Sequence, residues 1–310
     1  MDLRGDTGMS IPTFVTTEPF SAGRQVTLGE DEAQHIRVRR LNIGARVALL
    51  DGQGLRGTGL LVRIAKRNAT VEVETISTQA APRPVHLLLP IADKDRMLWL
   101  AEKAAELGAS SWRPVQFRRS RSVAVRGEGI VFNQKVAARM VSALEQCGNA
   151  WMPVIFPDAT VDRAIAAAPQ GMRFILDGAG DPLAHTSLSG SAGVPGASAA
   201  ADGDAGDPGS PIVVVVGPAG GVELDERQRF IDAGFRPVSI GANVLRFETA
   251  AVAALAIVRS LIGERGVSDY ANTTLIDATN GVPVPDSMHN ATVRTAADST
   301  GATTGNGSDD

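Results

Sequence analysis

The chain is 310 residues and 32.3 kDa, room for two domains and a substantial core. Hydrophobic residues make up 44%, yet no run is long and apolar enough to span a bilayer, and the N-terminus MDLRGDTGMSIP lacks the apolar core of a secretory signal. The net charge of −4 argues at first against a polyanionic partner, but 181–210 and 266–310 carry −4 and −5, so the remainder carries +5 and mildly favours one. The single cysteine, Cys147, cannot form an internal disulfide, which fits a reducing, cytoplasmic setting.

Residues 1–12 read as a loose end. From 13 to 79 the pattern is short strands with turn signals and little helix: 46–50, 60–64 and 70–76, the last alternating Val71, Val73 and Thr75 with Glu72 and Glu74. Several short strands in some sixty residues predict a small β-barrel. Arg37, Arg39 and Arg40 form a basic cluster here, readable either as solvated surface or as phosphate contacts. Gly52-Gln-Gly-Leu-Arg-Gly57 matches the dinucleotide fingerprint, but a strand follows where the fingerprint needs a helix, so it reads as a hairpin turn.

The prolines of Ala80-Ala-Pro-Arg-Pro84 mark a linker. After it, over 83–265, strands and helices alternate, which implies an α/β domain with a parallel sheet covered on both faces. A strand at 85–89 precedes a helix at 94–107, capped by Asp93 and ended by Gly108. Strands at 112–117 and 172–176 flank a helix at 132–147, and 113–139 holds seven basic residues against one acidic. The stretch 188–211 is rich in Gly, Ala, Ser and Asp and reads as a disordered insertion; 266–310 reads as a disordered acidic tail.

The most informative stretch is 212–250. Ile212–Val216 reads as a strand buried on both faces, and it runs into Gly217-Pro-Ala-Gly-Gly221. A helix from Leu224 stops at Gly234. A second strand, 235–240, ends at Gly241, and 244–261 reads as an Ala-rich helix. Ligands in open α/β sheets bind beyond the carboxyl ends of strands, so the two glycine loops could line one pocket or be ordinary turns.

These two loops, GPAGG and PVSIGANVLRFETA, resemble the paired signature of the RsmE-type methyltransferases of the SPOUT superfamily. The resemblance spans about 27–261 and includes Lys94-x-Arg96 through Lys103-x-x-Glu106-Leu-Gly108, Arg119-Ser120 and Glu145-Gln146-Cys147-Gly148. It departs at Ala219, where glutamate is usual, at Glu223, where Ser or Thr is usual, and at Asn149, where arginine is common. It implies a PUA-like β-barrel RNA-binding domain followed by a SPOUT-type parallel sheet with a C-terminal trefoil knot. It also implies a homodimer that transfers methyl from S-adenosylmethionine to N3 of a uridine in 16S rRNA of the small ribosomal subunit. By the same resemblance Gly217, Pro218, Gly220, Gly221, Ile240, Gly241, Leu245 and Thr249 bind the cofactor. Arg246 is the expected catalytic residue, Arg37, Arg39, Arg40 and Arg119 are expected RNA contacts, and Glu145 and Gln146 support the site.

Other chemistries find no motif. The four histidines are scattered without metal-ligand spacing, so no metal is expected, and neither a Walker loop nor a nucleophile elbow occurs. Two alternatives stay open: an RNA-binding protein of this fold without catalysis, motivated by Ala219 and Asn149, and a SPOUT enzyme acting on another RNA.

Overall fold

The computed structural model of the protein describes residues 11–120, 126–188 and 209–263. The first unit contains β1 (Thr13–Val15), β2 (Gln25–Leu28), α1 (Glu30–Val38), β3 (Arg46–Leu50), β4 (Leu55–Ile64) and β5 (Ala69–Thr78). The strands form one sheet in the order β1-β3-β4-β5-β2, antiparallel except where β1 pairs with β3. Val71 and Val73 point into a core with Phe14, Leu28, Ile36, Val47, Leu49 and Leu61, as their alternation with Glu72 and Glu74 requires. Among the described residues β1 and β2 are the two ends of this ladder.

Helix α1 corrects the expectation of little helix in this unit. Only Ala33 and Ile36 of its nine residues are buried, which leaves too short an apolar stripe to read. Its first turn, Glu30, Asp31 and Glu32, complements the positive end of the helix dipole. The loose end is also shorter than expected, since the carbonyl of Pro12 accepts a hydrogen bond from Ala48 N at 2.9 Å.

The second unit contains β6 (Val85–Pro90), α2 (Lys94–Glu106), β7 (Ser111–Gln116), α3 (Ile130–Cys147), β8 (Val154–Ile155), β9 (Ala159–Thr160) and α4 (Val161–Ala166). It continues with β10 (Met172–Pro182), β11 (Ile212–Val215), α5 (Leu224–Asp232), β12 (Arg236–Ser239) and α6 (Phe247–Ile262). Its sheet runs β12-β10-β11-β6-β7-β8, with β9 also on β7, and every pairing is parallel. Both faces are covered. Leu87, Leu89, Ile212 and Val214 pack with α2, α3 and α6, whereas Leu88, Val213 and Val215 pack with Val161, Phe230 and Phe235. That two-sided burial is why Ile212–Val216 has no polar alternation.

Several boundaries move: β4 starts at Leu55 and not at 60, α6 at Phe247 and not at 244, and two further shifts bear on this unit. Strand β10 continues past Leu176 through a bulge to Pro182, pairing with β12 on both sides of it. Gly180 makes this possible, because a Cβ there would lie 2.5 Å from the backbone of Pro237 and Val238. Leu188, the expected start of the insertion, is instead core, 2% exposed, and its carbonyl accepts from Arg83. Arg83 also donates to the carbonyl of Ser210 at 2.8 Å, which pins the far end of the same segment. Residues 189–208 of the expected insertion and the acidic tail lie outside the described residues.

Candidate functional site

Because β10 lies between β11 and β12, its bulge at 177–180 neighbours the loops leaving the carboxyl ends of β11 and β12. The first is Gly217–Gly221, where Gly221 has φ +77° and Pro218 is buried while Ala219, Gly220 and Gly221 are exposed. The second is 240–246, where Gly241 has φ +153°, Ile240 is half-buried, Leu245 is 37% exposed and Val244 is fully exposed. Thr249 is exposed in the first turn of α6. Between the two loops lies the bulge Asp177-Gly-Ala-Gly180 of β10, which the sequence does not mark as part of a site. Its Asp177 accepts from Ala179 N at 2.9 Å and pairs with Arg227 of α5; the backbone bond and then the guanidinium hold its carboxyl below the ordinary value. The signal was present in the two glycines, but the strand they interrupt has no local mark of continuing.

Arg246 is the N-cap of α6 and is exposed, with no ion pair among the described residues. A cation at the positive end of a helix dipole costs a few tenths of a kcal/mol to about 1 kcal/mol, so helix stability does not explain its placement. Two residues on, Glu248 is buried, faces Arg96 of α2 at 3.8 Å, and keeps Oε2 without a hydrogen-bond partner.

Arg119, expected as an RNA contact, is committed to the glycine loop. Its Nε donates to Glu223 Oε1 at 2.7 Å and its Nη1 to the carbonyl of Gly220 at 3.0 Å. Gly220 lets it approach, since a Cβ there would stand 3.2 Å from Arg119 Cβ. The buried Glu226 completes the tie: it accepts from Arg118 N at 2.9 Å and from Glu223 N at 3.3 Å. The unusual Glu223 therefore binds the end of β7 to the start of α5.

Arg37, Arg39 and Arg40 are exposed at the end of α1, and Arg40 takes φ +54° to leave the helix. Of the three, Arg39 is close enough to Glu145 of α3 to act on its carboxylate, as does His35. Glu145 accepts from Val15 N at 3.3 Å and stands 3.8 Å from His35 Nδ1. Burial nonetheless pushes its carboxyl above the ordinary value. Gln146 is exposed. The departing Asn149 is structural: its amide donates to the carbonyls of Ala105 and Trp151, both at 3.4 Å, and its Oδ1 accepts from Trp151 N at 3.1 Å. Among the described residues no group of three His, Cys, Asp or Glu could hold a metal ion, and no helix is long and apolar enough to cross a membrane.

A parallel sheet with two glycine loops and a glycine-bearing bulge toward its carboxyl edge, joined to a small β domain bearing exposed arginines, defines the class: an α/β protein carrying an accessory β domain. Residues 79–259 match the family model described as an RNA methyltransferase domain, and residues 28–74 that of the RNA methyltransferase PUA domain. The chain belongs to this RNA methyltransferase family. It is similar to the ribosomal RNA small subunit methyltransferase E of Synechocystis sp., 27% identical over 76% of this chain and 73% of that protein. The Rickettsia conorii protein of the same name is 23% identical over 76% and 90%. The crystal structure of ribosomal RNA small subunit methyltransferase E from Neisseria gonorrhoeae, bound to S-adenosyl methionine, superposes with a TM-score of 0.69. It is 26% identical and covers 81% of this chain and 98% of its own.

Proposed function

We propose that this RNA methyltransferase uses S-adenosylmethionine to methylate N3 of a uridine in 16S rRNA. The observation that carries the reading is that the glycine loops after β11 and β12 flank the glycine-bearing bulge of β10, with Arg246 opening the helix after the second loop. The residues present fit the cofactor. Gly217, Gly220, Gly221 and Gly241 let a ligand approach the backbone, Ile240 and Leu245 offer apolar surface to an adenine, and Pro218 and Thr249 bound the cradle. When bound, the cofactor supplies a methyl group already activated by its sulfonium. The protein's work is then alignment; the N3 proton passes to solvent, Arg246 stabilises the negative charge this leaves on the base, and transfer of the methyl group to N3 would release S-adenosylhomocysteine. The base must be unpaired to reach the loops. Arg37, Arg39 and Arg40 hold the RNA backbone from the β domain.

The finer architecture belongs to the same proposal. A trefoil knot at the C-terminal end is supported by the strand order, in which β10 is flanked by β11 and β12, and by the similarity to the Neisseria structure. A homodimer is supported by α6, whose only charged residues are Glu248 and Arg259 although Ala256 is exposed and Val252, Ala253, Ile257 and Leu261 are half-exposed. A helix apolar all round wants a second partner. A 16S rRNA substrate in the small ribosomal subunit supports a cytoplasmic location for the protein.

The reading that catalysis has been lost rests on Ala219 and Asn149; against it, Asn149 has a structural role between α2 and Trp151, and Glu223, the N-cap of α5, puts a carboxylate beside the glycine loop, held by Arg119. Mapping N3-methyluridine in 16S rRNA from cells with and without the gene tests the proposal. One uridine is expected to lose its methyl group. Identical maps would overturn it.

A further inference from the structure

The fingerprint-like glycines at 52 and 54 have a partner far along the chain. Gly54 N donates to the carbonyl of Ala150 and Met152 N to that of Gly52, both at 2.9 Å, and Gln53 and Trp151 form an antiparallel bridge. The indole Nε1 of Trp151 donates to the carbonyls of Gln79 and Ala80, at 3.2 and 3.1 Å, where β5 ends and the linker begins. A Cβ at Gly54 would lie 2.5 Å from the indole Cζ2, and one at Gly52 would lie 3.1 Å from Met152 Cβ. Gly54 takes φ +101° and Gly52 φ +74°, conformations other side chains rarely adopt. The two glycines exist to admit Trp151 and Met152. Arg56 adds a bond to the carbonyl of Gly148 at 2.5 Å.

This junction stands at the wrong end of the sheet to touch a reacting base. It follows α3 and leads into β8, whose Val154 pairs with Ser111, the first residue of β7. The glycine loops are at the opposite, carboxyl ends. The covalent link between the two sheets is the short stretch 79–84, and away from Trp151 the units also meet where Glu145 accepts from Val15 N and where Leu50 and Val15 pack on the second unit's core.

We propose that Trp151 is a positioning residue for RNA methylation: it clamps the Gly52–Gly54 turn and the linker, and so fixes the angle at which the β domain presents RNA to the distant loops. The inference rests on the RNA methyltransferase reading. A rigid angle matters because small misplacement of a reacting group costs orders of magnitude in rate, whereas the RNA grip and the cofactor cradle lie elsewhere.

The test uses the full chain with Cys147→Ser and spin labels at Glu72→Cys and Ala166→Cys, both exposed and outside the proposed machinery. Trp151→Ala should broaden the inter-label distance distribution about twofold. It should lower single-turnover methylation at saturating RNA and cofactor about tenfold, while cofactor affinity stays within about twofold. Trp151→Phe keeps the ring without the two hydrogen bonds and should fall between. Gly54→Ala, which crowds the indole, should resemble Trp151→Ala, and with Trp151→Phe it carries the test if Trp151→Ala does not fold. An unchanged distance distribution, or a broadened one with full turnover, overturns the proposal. If the wild type itself transfers no methyl group, the methyltransferase reading fails and the positioning role with it, and the distances alone decide whether Trp151 holds the sheets together.

Discussion

Nε of Arg119 and Oε1 of Glu223 meet at 2.7 Å beside the glycine loop, 104 residues apart in sequence. The same guanidinium holds the carbonyl of Gly220, so the pair sets the shape of a loop that has little packing of its own. Arg119→Ala should therefore weaken S-adenosylmethionine binding about tenfold, as calorimetry would measure. The pair is half-exposed, so stability should change by no more than about 1 kcal/mol. RNA binding against salt gives the contrast: a lost phosphate contact would flatten the slope by roughly 0.7–0.9, and none is expected here.

Gly221 and Gly180 should respond differently to a side chain. At Gly221 only the tip of Arg119 lies within 4 Å, so Gly221→Leu should fold with about 1–2 kcal/mol of backbone strain and lose cofactor binding. At Gly180 a Cβ meets the β12 backbone, so Gly180→Ala should lower the melting temperature sharply as well. Melting curves and calorimetry on the two variants separate these outcomes.

Those two glycines also show what the sequence could disclose. Strand β11 and its loop were legible because a β-branched run ending in glycines is a local pattern. The bulge in β10 was not, since Asp177-Gly-Ala-Gly180 looks like a turn until β12 is seen alongside it. Helix α1 hid behind two buried residues. Arg119 carried a visible charge, but its partner Glu223 is brought to it only by the fold. The glycines at 52 and 54 were rightly separated from nucleotide binding, yet their reason, Trp151, lies about a hundred residues away.

Glu145 should make stability depend on pH. Its folded pKa is raised by burial, so its protonated form is favoured in the native state. That contribution is complete below the unfolded pKa and is lost as pH rises through the folded value. Glu145→Gln keeps an acceptor for Val15 N without the charge. The variant should be more stable than the wild type at pH 8, with the gap closing as pH falls through the carboxylate range. A gap independent of pH would contradict this.

The ends of the 188–211 segment should matter more than its middle. Leu188→Ala empties a core position and should cost about 2–5 kcal/mol in denaturant unfolding. Deleting 189–208, which holds Val194 as its one large apolar residue, should leave the midpoint nearly unchanged.

Arg246 is where the account is most exposed. A cation at the N-cap of α6 does nothing for the helix, so Arg246→Ala should leave the melting temperature unchanged or slightly raised. Its charge is expected to act while the methyl group moves. Single-turnover methylation of 16S rRNA, with RNA and S-adenosylmethionine both saturating, should therefore fall about a hundredfold or more in Arg246→Ala, with RNA affinity within about threefold of wild type. Methylation by Arg246→Ala at the wild-type rate would contradict the account, and would leave Arg246 as no more than the residue at which α6 begins.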